Sequence, residues 1–118
     1  MDAPDTSVVV ACLCARWCRT CDDYRPTFDA LAQQFAAQAR FVWVDIEDDE
    51  AVLGDVDVED FPSLLIARGD GVCFFGPVMP HLQTAQRLLQ RALAGELSAL
   101  ADAQVNALSD RVRTLFAR

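Results

Sequence analysis

The sequence predicts an α/β fold in which four strands form a central sheet and helices flank it. Two stretches rich in β-branched and aromatic residues have the length of buried strands, and two later ones are joined by a glycine-containing turn. Between and after them, apolar residues recur at steps of three and four, which is typical of amphipathic helices. With 118 residues, 53% of them hydrophobic, the chain can form one domain with a packed core.

The first strand is predicted over residues 7–14, where Val8–Val10 lead a continuous apolar run. A helix is predicted over 22–38, and Pro26 inside it should bend the axis because proline removes a backbone hydrogen bond. The apolar face of this helix consists of Tyr24, Phe28, Leu31 and Phe35.

The remaining strands are predicted in the middle of the chain. Residues 41–46 are apolar on both faces, as expected for a central strand. Residues 63–67 and 72–75 form a hairpin through Arg68–Gly71, which has two glycines and an Asp-Gly step. The segment Gly76–Pro80 is expected to end the last strand.

Three further helices are predicted. Glu47–Glu50 opens a short one with four acidic residues, and another covers residues 81–94. Residues 96–118 are predicted to form one amphipathic helix of about six turns, as an extension of a domain over 1–95. Its apolar stripe must be buried, either on its own domain or against a partner or second copy in a homodimer. The stripe consists of Leu97, Ala101, Val105, Leu108, Val112 and Leu115.

The candidate site is Trp17–Cys21, a W-C-x-x-C motif between the first strand and the first helix. A cysteine at the start of a helix lies near unpaired N–H groups, which favour the thiolate form, so Cys18 is the candidate nucleophile. Cys21 lies about one turn further on the same side of the helix and could resolve a mixed disulfide at Cys18. The motif therefore indicates a redox dithiol, although C-x-x-C also supplies half of many zinc sites.

These residues together resemble the thioredoxin family. The likeness rests on the W-C-x-x-C motif, Pro26, Phe41–Asp45 and Phe61–Ile66, in that order. It implies a thioredoxin-like fold with a central mixed sheet of about four strands, here trimmed at the N-terminus and extended by a C-terminal helix. It implies exchange or reduction of protein disulfides without a bound cofactor.

The resemblance also implies site residues and partners. Pro62 would be a cis proline opposite the dithiol, and Trp17, Phe61 and Pro62 would shape the groove for a substrate chain. The substrates would be disulfide-bearing proteins, and a thioredoxin reductase or the glutathione system would recycle the dithiol.

Charge and composition exclude several other classes. A net charge of −8 without a basic stripe argues against nucleic-acid and membrane-surface partners. The chain has no lysine, so lysine-based catalysis is excluded. The short acidic start lacks the features of a signal peptide, and a cytoplasmic location is expected.

Two positions depart from the family pattern. Thioredoxins usually have a buried aspartate six residues before the first motif cysteine, with a lysine near it; here the positions hold Cys12 and Trp43. Without this proton acceptor, Cys21 should have a higher pKa than in ordinary thioredoxins and should resolve mixed disulfides more slowly.

Cys12 and Cys14 allow more than one interpretation. Residues i and i+2 of a strand share a face, and two interpretations follow: the pair consists of small buried hydrophobes, or it is an auxiliary redox pair. A disulfide between them is disfavoured because their Cα atoms would be about 6.5–7 Å apart. With Cys18 and Cys21 they could alternatively form a metal or iron–sulfur site. A third alternative is a non-catalytic interaction module on the same scaffold.

Overall fold

The computed structural model describes residues 8–15, 18–48, 50–54, 56, 62–69, 71–78 and 81–117. For residues 50 and 115–117 it describes the backbone only. The elements in chain order are β1 (Val9–Cys14), α1 (Arg19–Gln34), β2 (Arg40–Asp45), α2 (Glu50–Leu53), β3 (Ser63–Arg68), β4 (Gly71–Pro77), α3 (Leu82–Leu93) and α4 (Ala103–Ala117).

The four strands form one mixed sheet in the order β2-β1-β3-β4. β1 and β2 are parallel, as expected for strands connected through a helix, whereas β3 is antiparallel to both β1 and β4. The predicted α/β class, the four-stranded mixed sheet and the additional C-terminal helix are therefore confirmed.

β1 lies in the middle of the molecule, and every residue of it is buried. Its alternating side chains divide the core into two halves. Val10, Cys12 and Cys14 pack on the side covered by α1 and α3, whereas Val9, Ala11 and Leu13 pack on the side of α2 and α4. Because strand side chains alternate, both cysteines of β1 necessarily face α1.

The C-terminal segment differs from the predicted single helix over 96–118. Residues 96–102 are not helical, and α4 begins only at Ala103. Leu97 packs with the α1 half of the core and Val105 with the opposite half, so the segment between them crosses from one face of the sheet to the other. The Leu100 N–H donates to the Val72 carbonyl of β4 at 2.7 Å during this crossing. A continuous helix could not pass around the sheet edge in this way.

α4 buries its apolar stripe on its own domain. Val105, Leu108 and Val112 are buried in the core half that contains Leu13 and Leu65. The stripe over these residues is therefore covered without a second copy of the chain.

Other element boundaries also differ from the sequence-based prediction. α1 covers 19–34 instead of 22–38. Cys18 is its N-cap, and the chain forms turns after Gln34. β4 continues to Pro77 instead of ending before Gly76; proline is tolerated there because β4 is an edge strand. α2 begins at Glu50, since Glu47 and Asp48 lie in a turn in which Asp45 Oδ1 accepts the Glu47 N–H.

Within the part of the chain that the structure describes, none of the helices combines the length and apolar character needed to cross a membrane.

Candidate active site

Cys18 lies where the chain turns from the end of β1 into α1. Its N–H donates to the Ala15 carbonyl at 3.0 Å, which closes a tight turn, and its extended backbone (φ −86°, ψ 113°) makes it the N-cap of α1. This is the position that the spacing predicts. The residue is half-buried, so its sulfur lies at the surface end of the core, next to the positive end of the helix dipole.

Cys21 lies one turn further and is 1% exposed. Burial raises the pKa of its thiol well above the ordinary range, hydrogen bonds with the Cys14 and Cys18 thiols raise it further, and a hydrogen bond with the Ala15 backbone partly opposes them. The direction agrees with the high pKa expected from the missing aspartate. The half-buried Cys18 is therefore placed to act as the nucleophile, and the buried Cys21 is placed to act as the resolving thiol.

The sulfur atoms continue inward from the motif as a row of thiols. The Cys14 thiol is one of the groups that raise the pKa of Cys21, and the Cys14 Sγ lies 3.6 Å from the Sγ of Cys12 on the same face of β1. The hydrogen bond with Cys12 and then burial raise the pKa of the Cys14 thiol far above its ordinary value. The four thiols of Cys12, Cys14, Cys21 and Cys18 therefore lie in one core cluster, which we call the thiol row, and none of them is in a disulfide.

Tyr24 lies three residues after Cys21 on the buried face of α1 and is fully enclosed. Among the described residues, its hydroxyl has no hydrogen-bond partner. Burial, followed by the nearby Cys12 and Cys14 thiols, raises the pKa of Tyr24 to about 12. The sequence predicts Tyr24 only as a core residue; its i+3 spacing from Cys21 is the signal that places it near the thiols.

Trp43 occupies the position where the family has a lysine. It lies directly opposite Cys12 in the β1–β2 register and makes an edge contact with Phe28, with ring centroids 5.7 Å apart. The Arg25 guanidinium stacks 4.6 Å above its ring. The rings of Trp43 and Phe28 thus lie beside the thiols, on the side where the family has a charged aspartate–lysine pair.

The proposed groove residues are only partly placed. Pro62 is buried beside the start of β3, and its carbonyl accepts the Val78 N–H at 3.2 Å. Trp17 and Phe61 lie outside the described residues.

The alternative metal site lacks structural support. In the described ranges, no three His, Cys, Asp or Glu side chains are arranged so that they could hold a metal ion. The ladder on both sides of β1 fixes Cys12 within the sheet, where it pairs with Trp43 and Leu64.

Two sequence comparisons identify related proteins. The family model named Thioredoxin matches residues 2–75, which is more than half of the chain. The thioredoxin of Haemophilus influenzae is 31% identical over 77 residues, which cover 64% of this chain and 72% of that protein.

Solved structures show the same fold at lower sequence identity. The germline-specific thioredoxin Deadhead of Drosophila melanogaster superposes with a TM-score of 0.66 and 18% identity, over 75% of this chain and 84% of that one. The thioredoxin of Fasciola hepatica gives a TM-score of 0.65 and 18% identity, over 74% and 83% of the two chains.

Proposed function

This chain belongs to the thioredoxin family, and on that basis we propose that it exchanges or reduces disulfides in protein substrates through Cys18 and Cys21. The observation that carries the proposal is the arrangement of these two thiols. Cys18 is half-exposed at the N-terminus of α1, and Cys21 is buried one turn further along the same helix. Such a pair can attack a disulfide from outside and complete the exchange from inside.

The reaction begins when the Cys18 thiolate attacks one sulfur of a substrate disulfide. A new S–S bond forms at Cys18, the substrate S–S bond breaks, and the other substrate sulfur leaves as a thiolate. Cys21 then loses its proton and attacks the Cys18 sulfur. This second exchange releases the remaining substrate thiol and leaves the Cys18–Cys21 disulfide, so the protein is oxidised by two electrons as the substrate is reduced.

Deprotonation of Cys21 is the difficult part of this sequence. Burial and the two neighbouring thiols favour its protonated form, and Cys12 supplies no carboxylate to accept the proton. The departing substrate thiolate is the base that the reaction itself provides. We therefore propose that the mixed disulfide at Cys18 is longer-lived in this protein than in family members with a buried aspartate.

We propose disulfide-bearing proteins as substrates and a thioredoxin reductase or the glutathione system as the recycling partner. Trp17, Phe61 and Pro62 are the proposed groove residues, by analogy with the family. We also propose a cytoplasmic location, where reductase and glutathione systems keep thiols reduced.

Reduction of a soluble protein disulfide, with dithiothreitol or glutathione as the electron source, tests the proposal. The Cys18→Ser variant should lose the catalysed rate, whereas Cys21→Ser should accumulate a mixed disulfide with the substrate. Cys73→Ser is the matched control, because Cys73 is a buried cysteine on β4 whose thiol donates to the Ile66 carbonyl. Full activity of Cys18→Ser would refute the proposal.

A further inference from the structure

The proposed reaction uses two of the four thiols in the row and leaves Cys12 and Cys14 without a role. Both are buried on β1, and their sulfur atoms are 3.6 Å apart. Cys14 is the last residue of the strand, immediately before the turn that leads to the dithiol. This position makes Cys14 different from an ordinary small core residue.

The turn folds the end of β1 back onto the first turn of α1. The hydrogen bond from the Cys18 N–H to the Ala15 carbonyl fixes this reversal. As a result, Cys14 and Cys21 are buried in the same half of the core, and each thiol affects the pKa of the other. The resolving thiol therefore has two thiol neighbours, Cys18 toward the surface and Cys14 toward the core.

We propose that Cys14 is a second exchange partner of Cys21, so that a Cys18–Cys21 disulfide can be converted into an inner Cys14–Cys21 disulfide. The inference rests on the proposed function, which supplies the Cys18–Cys21 disulfide. The Cys14 thiolate attacks the Cys21 sulfur, the Cys14–Cys21 bond forms and the Cys18–Cys21 bond breaks. Cys18 leaves as a thiolate and takes up the proton that Cys14 lost. No electrons are gained or lost in this step.

The conversion would change what the oxidised protein can do. The inner disulfide joins two residues that are 2% and 1% exposed, so a protein reductase could not reach either sulfur directly. Cys18 is again a free nucleophile and can attack another disulfide while the first oxidising equivalent remains in the core. Attack of Cys18 on Cys21 would regenerate the Cys18–Cys21 disulfide, from which a protein partner could remove the stored oxidising equivalent.

Cys12 is less suited than Cys14 to form a disulfide within the thiol row. It lies on the same strand as Cys14, and residues i and i+2 of a strand have Cα atoms about 6.5–7 Å apart, at the limit of disulfide geometry. It is also paired with both neighbouring strands, at Trp43 and Leu64, so the sheet opposes a closer approach. The inner bond is therefore assigned to Cys14.

Peptide mapping can distinguish the two disulfides because arginines separate the cysteines. Trypsin places Cys12 and Cys14 in residues 1–16, Cys18 in 17–19 and Cys21 in 20–40, since the Arg25–Pro26 bond is not cleaved. The reduced protein is oxidised with oxidised glutathione, quenched in acid, unfolded and treated with N-ethylmaleimide before digestion. A Cys18–Cys21 bond links 17–19 to 20–40, and the inner bond links 1–16 to 20–40.

The expected result is both linked pairs in the wild-type protein, with fragment ions that place the inner bond at Cys14. Oxidation of Cys18→Ser with diamide, which is small enough to enter the site, should give the inner bond alone. Cys14→Ser should lose the inner bond and keep Cys18–Cys21, and the control Cys73→Ser should keep both.

The inference is overturned if Cys14 is alkylated in full in wild type and in Cys18→Ser while the wild-type protein forms Cys18–Cys21. That outcome leaves the proposed function intact. Absence of both disulfides, together with no reduction of a substrate, would overturn the proposed function and this inference with it.

Discussion

Cys21 is the residue that sets the pace of the proposed reaction, because it must lose a proton in a buried site. The groups that face it are the thiols of Cys14 and Cys18 and the backbone of Ala15, and burial is the largest cause of its raised pKa. At any pH below that pKa, the thiolate fraction grows about tenfold for each pH unit. We therefore expect resolution of a mixed disulfide at Cys18 to accelerate steeply from pH 7 to pH 9.

Stopped-flow release of a fluorescent thiol from a preformed mixed disulfide at Cys18 measures this step. Cys21→Ser is the control, since its release should be slow at every pH. A rate that is constant between pH 7 and pH 9 would contradict the high pKa of Cys21.

Tyr24 places a polar group, its hydroxyl, in the core around the thiols. Its side chain is fully buried, and within the described part of the chain its hydroxyl has no hydrogen-bond partner. A buried hydroxyl without a partner costs about 1–3 kcal/mol, and removal of the oxygen relieves that cost while it keeps the ring. Tyr24→Phe should therefore raise the free energy of unfolding by about 1 kcal/mol, measured by urea denaturation at pH 7.

The pH dependence of stability separates the effect of the missing hydroxyl from a change in core packing. Because the pKa of Tyr24 is about 12 in the folded protein, its protonated form contributes stability that is full below the unfolded pKa near 10 and falls as pH rises toward 12. The Tyr24→Phe variant lacks this titration, so its advantage should grow above pH 10. A loss of stability in the variant at pH 7 would mean that the hydroxyl has a partner.

At the scale of elements, Asn106 holds α4 to the edge of the sheet. Its Oδ1 accepts the Val72 N–H at 2.9 Å, and its Nδ2 donates to the carbonyls of Leu100 and Asp102, each at 3.0 Å. One amide therefore joins β4, the crossing segment and the first turn of α4. Gly71, with a φ of 133°, passes 3.1 Å from the Asn106 Oδ1 at the point where a Cβ would lie, so this approach also requires glycine.

Asn106→Ala should lower the free energy of unfolding by about 1–3 kcal/mol, because it removes the side-chain partner of the Val72 N–H and of the Leu100 carbonyl. The Asp102 carbonyl still accepts the backbone N–H of residue 106. The matched variant is Asn106→Asp, whose carboxylate can still accept from Val72 but cannot donate. At neutral pH, the free energy of unfolding of Asn106→Asp should lie between those of Asn106→Ala and the wild type. Urea denaturation of the three proteins gives the comparison, and equal stability of Asn106→Ala and the wild type would contradict this role.

The elements show which parts of the fold the sequence can predict. The strands and α1 follow from local patterns, and the common face of Cys12 and Cys14 follows from strand alternation. The start of α4 does not, since Leu97 and Ala101 happen to continue its apolar spacing. The helix begins after Asp102, whose Oδ1 accepts the Gln104 and Val105 N–H groups as an N-cap.

The candidate site shows the same division. The W-C-x-x-C motif places Cys18 at a helix start and Cys21 one turn away, and both positions can be predicted from spacing. The contact between Cys14 and Cys21 depends on the turn at Ala15, and the unpartnered Tyr24 hydroxyl depends on how the core packs around it. These are tertiary features, which no local pattern in the sequence specifies.

For the whole molecule, the question is whether residues 96–118 are an appendage or part of the core. β1 is buried on both faces, and Leu108 and Val112 of α4, both 0% exposed, help to cover the face that carries Leu13. α4 is also fixed to α2 by Arg111, which donates to the carbonyls of Val52 and Leu53. We therefore propose that α4 completes the domain.

A chain that ends at residue 95 should therefore fail to fold stably. Burial of Val105, Leu108 and Val112 contributes roughly 1.5–3 kcal/mol for each side chain, so the total is comparable with the stability of a whole domain, about 5–15 kcal/mol. Near-ultraviolet circular dichroism and urea denaturation of residues 1–95 should show lost tertiary signal or a much lower midpoint. Arg118→Ala in the full chain is the control and should behave as wild type. A fragment 1–95 that unfolds cooperatively at the wild-type midpoint would show that α4 is an appendage, and its surface would then be available to a partner or a second copy.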